Sequence, residues 1–114
     1  MKTSGKYILD EAGEPVAEAD LLTWSRWFED GQKKGTRIVL REKIGDSEVS
    51  TVFLGMEHNF GAPGPPVLWE TMVFGGALDE EQDRCSGARE QALAMHARMV
   101  QRVKESFGCG PDPP

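Results

Sequence analysis

The stretch from Glu48 to Gly76 constrains the fold most, because it holds two apolar runs on either side of a short loop rich in glycine and proline. In the first run Val49, Thr51 and Phe53 alternate with their neighbours, and residues 67–74 alternate in the same way. Period-two alternation predicts two strands, and a loop this short requires them to be antiparallel. Both faces of each run are largely apolar. We therefore expect one face to meet a helix and the other a partner subunit or ligand.

Two further elements are predicted before this strand pair. Asp20 can cap a helix over Asp20–Asp30, whose apolar residues recur at spacings of three and four, and Gly31 stands where such a helix would stop. The run Thr36–Lys43 leads through a tight reversal at residues 44–47 into the first central strand, which predicts a hairpin. A short edge strand is expected at Lys6–Leu9.

The C-terminal part predicts one long helix. Ser86 can cap it, its apolar residues follow helical spacing, and Gly108 can end it. The proline-rich tail 109–114 cannot continue the helix and is expected to be disordered. The prediction is thus a single α+β domain over residues 1–108. It has an antiparallel sheet of about four strands, one helix before the central strand pair and a long C-terminal helix.

Size and composition exclude several classes of protein. A chain of 114 residues has room for one core and one site. A net charge of -6 argues against a non-specific nucleic-acid coat. The chain has no apolar run of ~20 residues and no signal peptide, which predicts a cytoplasmic protein without a membrane anchor. Cys85 and Cys109 bracket the last helix roughly 30 Å apart, so we predict neither an intrachain disulfide nor a structural metal.

Charged residues on the predicted strands are the first candidates for a site. Alternation places Arg37 and Arg41 on one face of the hairpin, either as an ordinary solvated face or as binders of phosphate or carboxylate. Glu70 lies in the centre of the second strand, where an unpaired carboxylate is costly to bury. Its partner is either one of these arginines across the sheet, or a ligand hydroxyl or base edge.

The loop at residues 57–66 is the second candidate. Its three prolines and two glycines make it stiff, which can hold His58, Asn59 and Phe60 in fixed directions. His58 has no serine or cysteine nearby in sequence, so a role as loop anchor is favoured over that of a catalytic base. Arg84 stands shortly before the last helix, whose N-terminus would favour an anion. If these groups converge, Phe60 can stack on a base, Asn59 can read its edge and Arg84 can bind phosphate. The alternative is a structural Arg84 paired with Glu70 or Asp83.

Other residues have a structural and a functional interpretation. Trp24 and Trp27 are read as core or interface residues, with base stacking by one of them as the alternative. Met95 and Met99 at helical spacing indicate core or interface. His96 on the same apolar side is interpreted as a hydrogen-bonded core histidine.

Four motifs and one arginine carry a resemblance to a set of small uncharacterised phage and prophage proteins. They are VSTVFLG at 49–55, EHNFG at 57–61, PPVLWETMVFGG at 65–76, Arg84, and ALAMHARMV at 92–100. The resemblance covers about Glu18 to Glu105, with Trp69 and Glu57 where Phe and Asp are usual. The layout is also similar to the phage Thoeris anti-defence proteins, which act as sponges for cyclic ADP-ribose signals.

This resemblance implies a non-enzymatic oligomer whose pockets use aromatic stacking, an asparagine and arginines. Residues of matching type near the shared motifs are Phe53, Asn59, Phe60, Met72 and Arg84. Together with Glu70, Arg37 and Arg41 they form the predicted ligand-binding set. No cofactor is expected.

Three functions compete. The leading one is a phage-type homo-oligomer that sequesters a small host ligand, with a nucleotide immune signal favoured, because the chain offers aromatic and arginine groups without a nucleophile or metal cluster. The second is a protein antagonist of a host defence enzyme, acting through the apolar sheet face or the Trp24 and Trp27 side. The third is a small metal-dependent hydrolase or nuclease using His58, Glu70 and the acids of Asp79–Asp83.

Overall fold

The computed structural model describes residues 5–108, which form two helices and two antiparallel sheets. The elements are β1 Tyr7–Leu9, β2 Pro15–Ala17, α1 Leu21–Lys34, β3 Ile38–Ile44, β4 Ser47–Phe53, β5 Val67–Phe74, β6 Gln82–Ser86 and α2 Arg89–Gly108. Strands β3 to β6 form a four-stranded sheet in sequence order, and β1 pairs with β2 separately. The predicted α+β class with a C-terminal helix is confirmed. The tail predicted at 109–114, with Cys109, lies outside the described residues.

The two central strands pair as their alternation predicts. Three cross-strand pairs form the inner face of the sheet: Val49 with Val73, Thr51 with Thr71, and Phe53 with Trp69. All six residues are fully buried. Helix α2 covers them with Ala92, Met95, Met99, Val100 and Val103. Burying a large apolar side chain stabilises a fold by roughly 1.5–3 kcal/mol, so this layer supplies most of the core.

Helix α1 begins as predicted and ends later than predicted. Asp20 is the N-cap, and its side chain accepts a hydrogen bond from Leu22 N at 3.1 Å. The helix continues through Gly31 and ends at Gly35, which adopts the left-handed conformation at φ 73°. The predicted stop at Gly31 is wrong, since an interior glycine costs a helix only ~1 kcal/mol. Gly31 is buried where a Cβ would lie 3.0 Å from Arg37 Cγ, so glycine permits a close approach there.

Strands β2 and β6 were not predicted. The segment before α2 reads as polar, yet residues 82–86 pair with β5 as an edge strand. An edge strand makes backbone hydrogen bonds to one neighbouring strand and needs little apolar surface. Its sequence therefore shows no alternation of apolar and polar residues. Ser86 therefore belongs to β6 and does not cap α2. Instead, Ala88 N donates to Gln91 Oε1 at 2.8 Å, and Arg89 N donates to Glu14 Oε1 at 2.9 Å.

One face of the four-stranded sheet has no cover among the described elements. Helix α2 packs across strands β3 to β6 on the inner face. Helix α1 and the β1–β2 hairpin contact the end of the sheet, where Trp24 Nε1 donates to Gly55 O at 2.8 Å and Trp27 packs edge-on against Phe53. We call the opposite, uncovered surface of strands β3 to β6 the outer face.

Candidate functional site

The strand register arranges the outer face in three rows. The rows are Ile38, Val52, Glu70 and Arg84; then Arg41, Ser50, Met72 and Gln82; then Lys43, Glu48 and Phe74. These residues alternate with the buried inner set, so they point away from α2. Four of the eight predicted binding residues, Arg41, Glu70, Met72 and Arg84, are brought to this one face.

Glu70 and Arg84 form an ion pair across strands β5 and β6. Arg84 Nε donates to Glu70 Oε2 at 2.8 Å, with the side chains 39% and 17% exposed. Arg37 and Arg41 are therefore not the partners of Glu70, and the alternative of a structural Arg84 paired with Glu70 is the one observed, because strand β6 brings Arg84 directly opposite. The Arg84 terminal nitrogens make one long contact, Nη2 to Gln82 Oε1 at 3.5 Å. Most of the guanidinium fork is thus open to an anion.

Arg84 does not lie at a helix N-terminus as predicted. It is in the middle of β6, and α2 starts five residues later at Arg89. The helix dipole acts mainly within the first turn, so it adds little at Arg84.

Asn59 is committed to the loop it belongs to. Its Oδ1 accepts Val67 N at 2.8 Å and its Nδ2 donates to Pro65 O at 2.9 Å, which ties the loop to the start of β5. The predicted role in reading a base edge is wrong, since these bonds already use the amide. Asn59 is also the anchor that was expected of His58, whose buried Nδ1 has no hydrogen-bond partner.

Phe60 is 77% exposed with φ 51° and packs edge-on against His58, with ring centroids 5.3 Å apart. Among the described contacts, none links this ring to Arg84. Val67, where the loop joins β5, is itself ~10 Å along the strand from Glu70, the partner of Arg84. None of these contacts brings Asn59, Phe60 and Arg84 together, as the predicted site would require.

Phe53 is a packing residue. It is fully buried between Trp27 and Trp69, at centroid distances of 5.7 and 5.1 Å, so no ligand can stack on it. The interpretation of Trp27 as a packing residue is consistent with this contact, and Trp24 packs on Phe28 with ring centroids 5.0 Å apart.

Arg37 is held at the start of β3. Its Nη1 donates to Phe53 O at 2.9 Å, Nη2 donates to Gln32, and the guanidinium stacks on Phe28. Burial lowers the pKa of Arg37 from its usual value. The predicted common face with Arg41 is wrong, because a bulge between Ile38 and Leu40 shifts the alternation by one residue.

The outer face combines cations with an apolar centre. Arg41, Lys43 and Arg84 face two carboxylates, Glu48 and Glu70, a surplus of one positive charge on an acidic chain. The Arg41–Glu48 pair is loose at 4.0 Å and its side chains are 52% and 40% exposed. Such a pair contributes about 0–1 kcal/mol, so Arg41 is able to turn toward a ligand.

Val52 and Met72 form the apolar part of the outer face, and the Phe74 ring beside them is 49% exposed. Phe74 was not predicted as a binding residue. The alternation of residues 67–74 places Phe74 on the same face as Glu70 and Met72, and this shared face is the signal that could have found it.

A carboxylate, an imidazole and a hydroxyl are connected by hydrogen bonds, in that order, on the inner face. His96 Nε2 contacts Glu42 Oε1 and His96 Nδ1 contacts Thr51 Oγ1, both at 2.8 Å, and Thr51 contacts Thr71. The order resembles a nucleophile triad. However, Thr51, Thr71 and His96 are at most 1% exposed, so no substrate reaches them and this hydrogen-bond network is structural. His96 is the satisfied core histidine that the sequence predicts.

The acidic segment before β6 is engaged within the fold. Asp79 Oδ1 accepts Gly75 N at 2.6 Å, and Glu81 pairs with Arg102 at 2.9 Å. Within residues 5–108 no group of three or more His, Cys, Asp or Glu side chains could hold a metal ion. Within the same range neither helix has the length and apolarity to cross a membrane.

The chain was compared with family models, curated proteins and solved structures, and none of them matches it significantly. The fold and the site therefore define a class by geometry: a small α+β protein with one helix-covered face and one open, charged sheet face.

Proposed function

We propose that this protein is a non-enzymatic binding protein that sequesters a nucleotide on its outer face. The observation that carries the proposal is an uncovered antiparallel sheet face that bears an exposed aromatic ring, Phe74, and three cations. Modules that bind single-stranded nucleic acid stack bases on aromatic residues of open sheet faces and neutralise the phosphates with basic residues.

Each part of a nucleotide has a partner of matching chemistry on this face. Phe74 offers a ring for the base, with Met72 beside it as apolar surface. Lys43 lies two strands away in the same row, or ~10 Å, and Arg41 is in the next row of the same strand. Arg84 lies on the opposite side, on β6 and two rows from Phe74. Because Glu70 already fixes the Arg84 side chain, binding a phosphate there costs little additional side-chain entropy.

The proposal includes a homo-oligomer. An open sheet face leaves one side of a bound nucleotide in water, and a second copy packed over the outer face would enclose it. The resemblance to phage proteins suggests the setting, the cytoplasm of a host bacterium, and the ligand, an immune signal. In this setting the protein acts as an anti-defence sponge.

Calorimetry with a nucleotide panel that includes cyclic ADP-ribose species tests the proposal. Arg84→Ala should weaken binding by ~1.5–3 kcal/mol, the range for a hydrogen bond to a charged group. Arg102→Ala is the matched control, because it breaks another arginine–glutamate pair, Arg102 Nη2 to Glu81 Oε1 at 2.9 Å, and Arg102 lies on α2, away from the outer face. Arg102→Ala should retain binding. Equal affinity in wild type and Arg84→Ala, or no binding across the panel, overturns the proposal.

A second candidate, an antagonist of a host protein, is favoured by α1. Leu21 and Leu22 are 57% and 66% exposed at its start, which is unusual for adjacent leucines on an amphipathic helix. A co-purifying host protein that is lost in Leu21→Ser/Leu22→Ser and retained in Arg84→Ala would support this candidate over the nucleotide sponge.

A further inference from the structure

A groove distinct from the outer face lies beside the N-terminal hairpin. It is bounded by the hairpin, by the prolines that precede β5 and by the turn before α2, and it has a volume of about 360 Å³. Its apolar lining consists of Tyr7, Pro15, Pro65, Pro66, Leu68 and Ala88. This volume is within the range of ligand sites, roughly 300–1,000 Å³.

The walls of this groove are fixed by hydrogen bonds from both sides. Asn59 holds Pro65 O and Val67 N, which immobilises the proline wall. Glu14 Oε1 accepts Arg89 N, which fastens the hairpin to the first residue of α2. The floor residue Leu68 is 2% exposed. The groove is therefore preformed, and an occupant would not have to order it.

The lining offers few free backbone groups. Gly87 O accepts Trp69 Nε1 at 2.9 Å, Ala88 N donates to Gln91 Oε1, and proline has no N–H. What is left is apolar surface, the Tyr7 hydroxyl and the second carboxylate oxygen of Glu14. An occupant is thus held by apolar contacts and by one charged group.

The charge around the groove selects for a cation. Among the described residues that line it, Glu14 is the only charged one. The Arg89 side chain lies against Gly13 in the hairpin turn, where a Cβ would be 3.2 Å from Arg89 Nη1. Glu14 therefore makes the rim of the groove negative, and the chain as a whole carries -6. This rim repels acidic segments and attracts basic ones.

We propose that this groove binds an extended peptide segment in which apolar, proline-containing residues are followed by lysine or arginine. The apolar residues pack on Tyr7, the wall prolines and Leu68, and the basic side chain lies beside Glu14. Proline-rich segments suit a shallow aromatic groove because their extended helix is already ordered before binding. The site is independent of the nucleotide proposed for the outer face.

The test is an NMR titration of the full chain with two blocked peptides, Ac-GPPLPRKG-NH2 and its acidic match Ac-GPPLPEEG-NH2. The basic peptide should shift the amides of Leu68, Gly87 and Ala88 and the indole of Trp69, and the acidic peptide should bind several-fold more weakly. Identical titrations with both peptides, or no shifts at millimolar peptide, overturn the proposal. Shifts at these residues that depend on protein concentration without peptide would identify a second copy as the occupant, which also overturns it.

The matched variants are Glu14→Gln and Glu105→Gln. The amide oxygen of Gln can still accept Arg89 N, so Glu14→Gln removes the charge and keeps the bond to α2. It should weaken the basic peptide by about threefold to fivefold, the scale of an exposed ion pair. Glu105 is sixteen residues beyond Arg89, or ~24 Å along α2, so Glu105→Gln should bind as wild type. Unchanged affinity in Glu14→Gln contradicts the assigned role of this carboxylate.

Discussion

At the scale of single residues, the buried chain of hydrogen bonds through His96 joins four elements. Glu42 comes from β3, Thr51 from β4, Thr71 from β5 and His96 from α2. The chain satisfies polar groups that would otherwise be buried without partners under α2. Removing one partner leaves a buried polar group unsatisfied, and this lowers the free energy of unfolding by more than the small net contribution of a hydrogen bond relative to water.

Replacing Thr51 tests this network. Thr51→Val keeps the shape of the side chain and removes the hydroxyl that contacts both His96 and Thr71. It should lower the free energy of unfolding by about 1–3 kcal/mol, because two buried groups lose a partner. Thr71→Val removes one contact and should cost less. Urea unfolding measures both, and a smaller loss in Thr51→Val than in Thr71→Val would contradict the central position of Thr51.

Cys85 is predicted to be a slow-reacting thiol. Burial raises its pKa, and the nearby carboxylate of Asp83 raises it further against the opposing charge of Arg98. Because the folded state holds the thiol proton more tightly, this contribution to stability is present below about pH 8.5 and lost as pH rises toward the folded pKa. In a Cys109→Ser background, Cys85 should react with a thiol reagent at pH 8 more slowly in the folded chain than in the unfolded chain. Asp83→Asn should increase the rate in the folded chain. An equal rate in the folded and unfolded chains would contradict the shift.

At the scale of elements, sequence pattern was a good guide where one face of an element is buried. Strands β4 and β5 were predicted with their antiparallel pairing, since their alternating apolar residues pack against α2. Strand β6 has no alternating apolar residues, because it is held by backbone hydrogen bonds to the edge of β5. This one omission placed Arg84 just before a helix, and the pairing of Arg84 with Glu70 remained an alternative instead of the leading prediction.

The residues of the candidate site were likewise predicted only in part. Arg41, Glu70, Met72 and Arg84 lie on a common surface, although alternation alone did not gather them there. Phe53 and Asn59 were misassigned because residue type does not reveal whether a ring is in the core or an amide is bonded to its own loop. Register and turn bonding depend on the whole chain, so no local pattern encodes them.

The connection between β5 and β6 is predicted to require Gly75. Its φ is 85°, and an added Cβ would lie 2.5 Å from Asp46 O in the neighbouring turn. Gly61 is the matched control, with φ 88° and nothing within 4 Å of an added Cβ. Gly61→Ala should cost about 1–2 kcal/mol from backbone strain alone, and Gly75→Ala ~1–3 kcal/mol more from the overlap. Equal losses in thermal unfolding would show that the turns do not pack as described.

Helix α1 should become less stable in acid through its cap. The hydrogen bond from the Thr23 hydroxyl, followed by those from the Leu22 and Thr23 backbone, lowers the pKa of Asp20. This contribution is present above the unfolded pKa of about 3.9 and is lost as pH falls through the lower folded value. Asp20→Asn still accepts these bonds without titrating. The stability difference between it and wild type should therefore change as pH falls through the folded pKa of Asp20, and a difference that is constant with pH would contradict the shift.

At the scale of the whole molecule, the outer face predicts self-association. Light scattering should give a multiple of the 12.6 kDa chain mass, because Val52, Met72 and Phe74 expose apolar surface that no described element covers. Val52→Glu should shift the mass toward the monomer. Leu93→Glu, at a 40% exposed site on α2, should not. A wild-type monomer at micromolar concentration contradicts this expectation.

The contact between Glu14 and Arg89 has a kinetic consequence. Strands β3 to β6 follow one another in the chain and in the sheet. Each can therefore pair with the preceding strand as a local hairpin, at a small cost in loop-closure entropy. The Glu14–Arg89 bond instead spans 75 positions, and closing such a loop costs about 4 kcal/mol in chain entropy. We therefore expect the hairpin to dock on α2 after the folding barrier has been crossed. A chain that lacks this bond should fold at the normal rate and unfold faster.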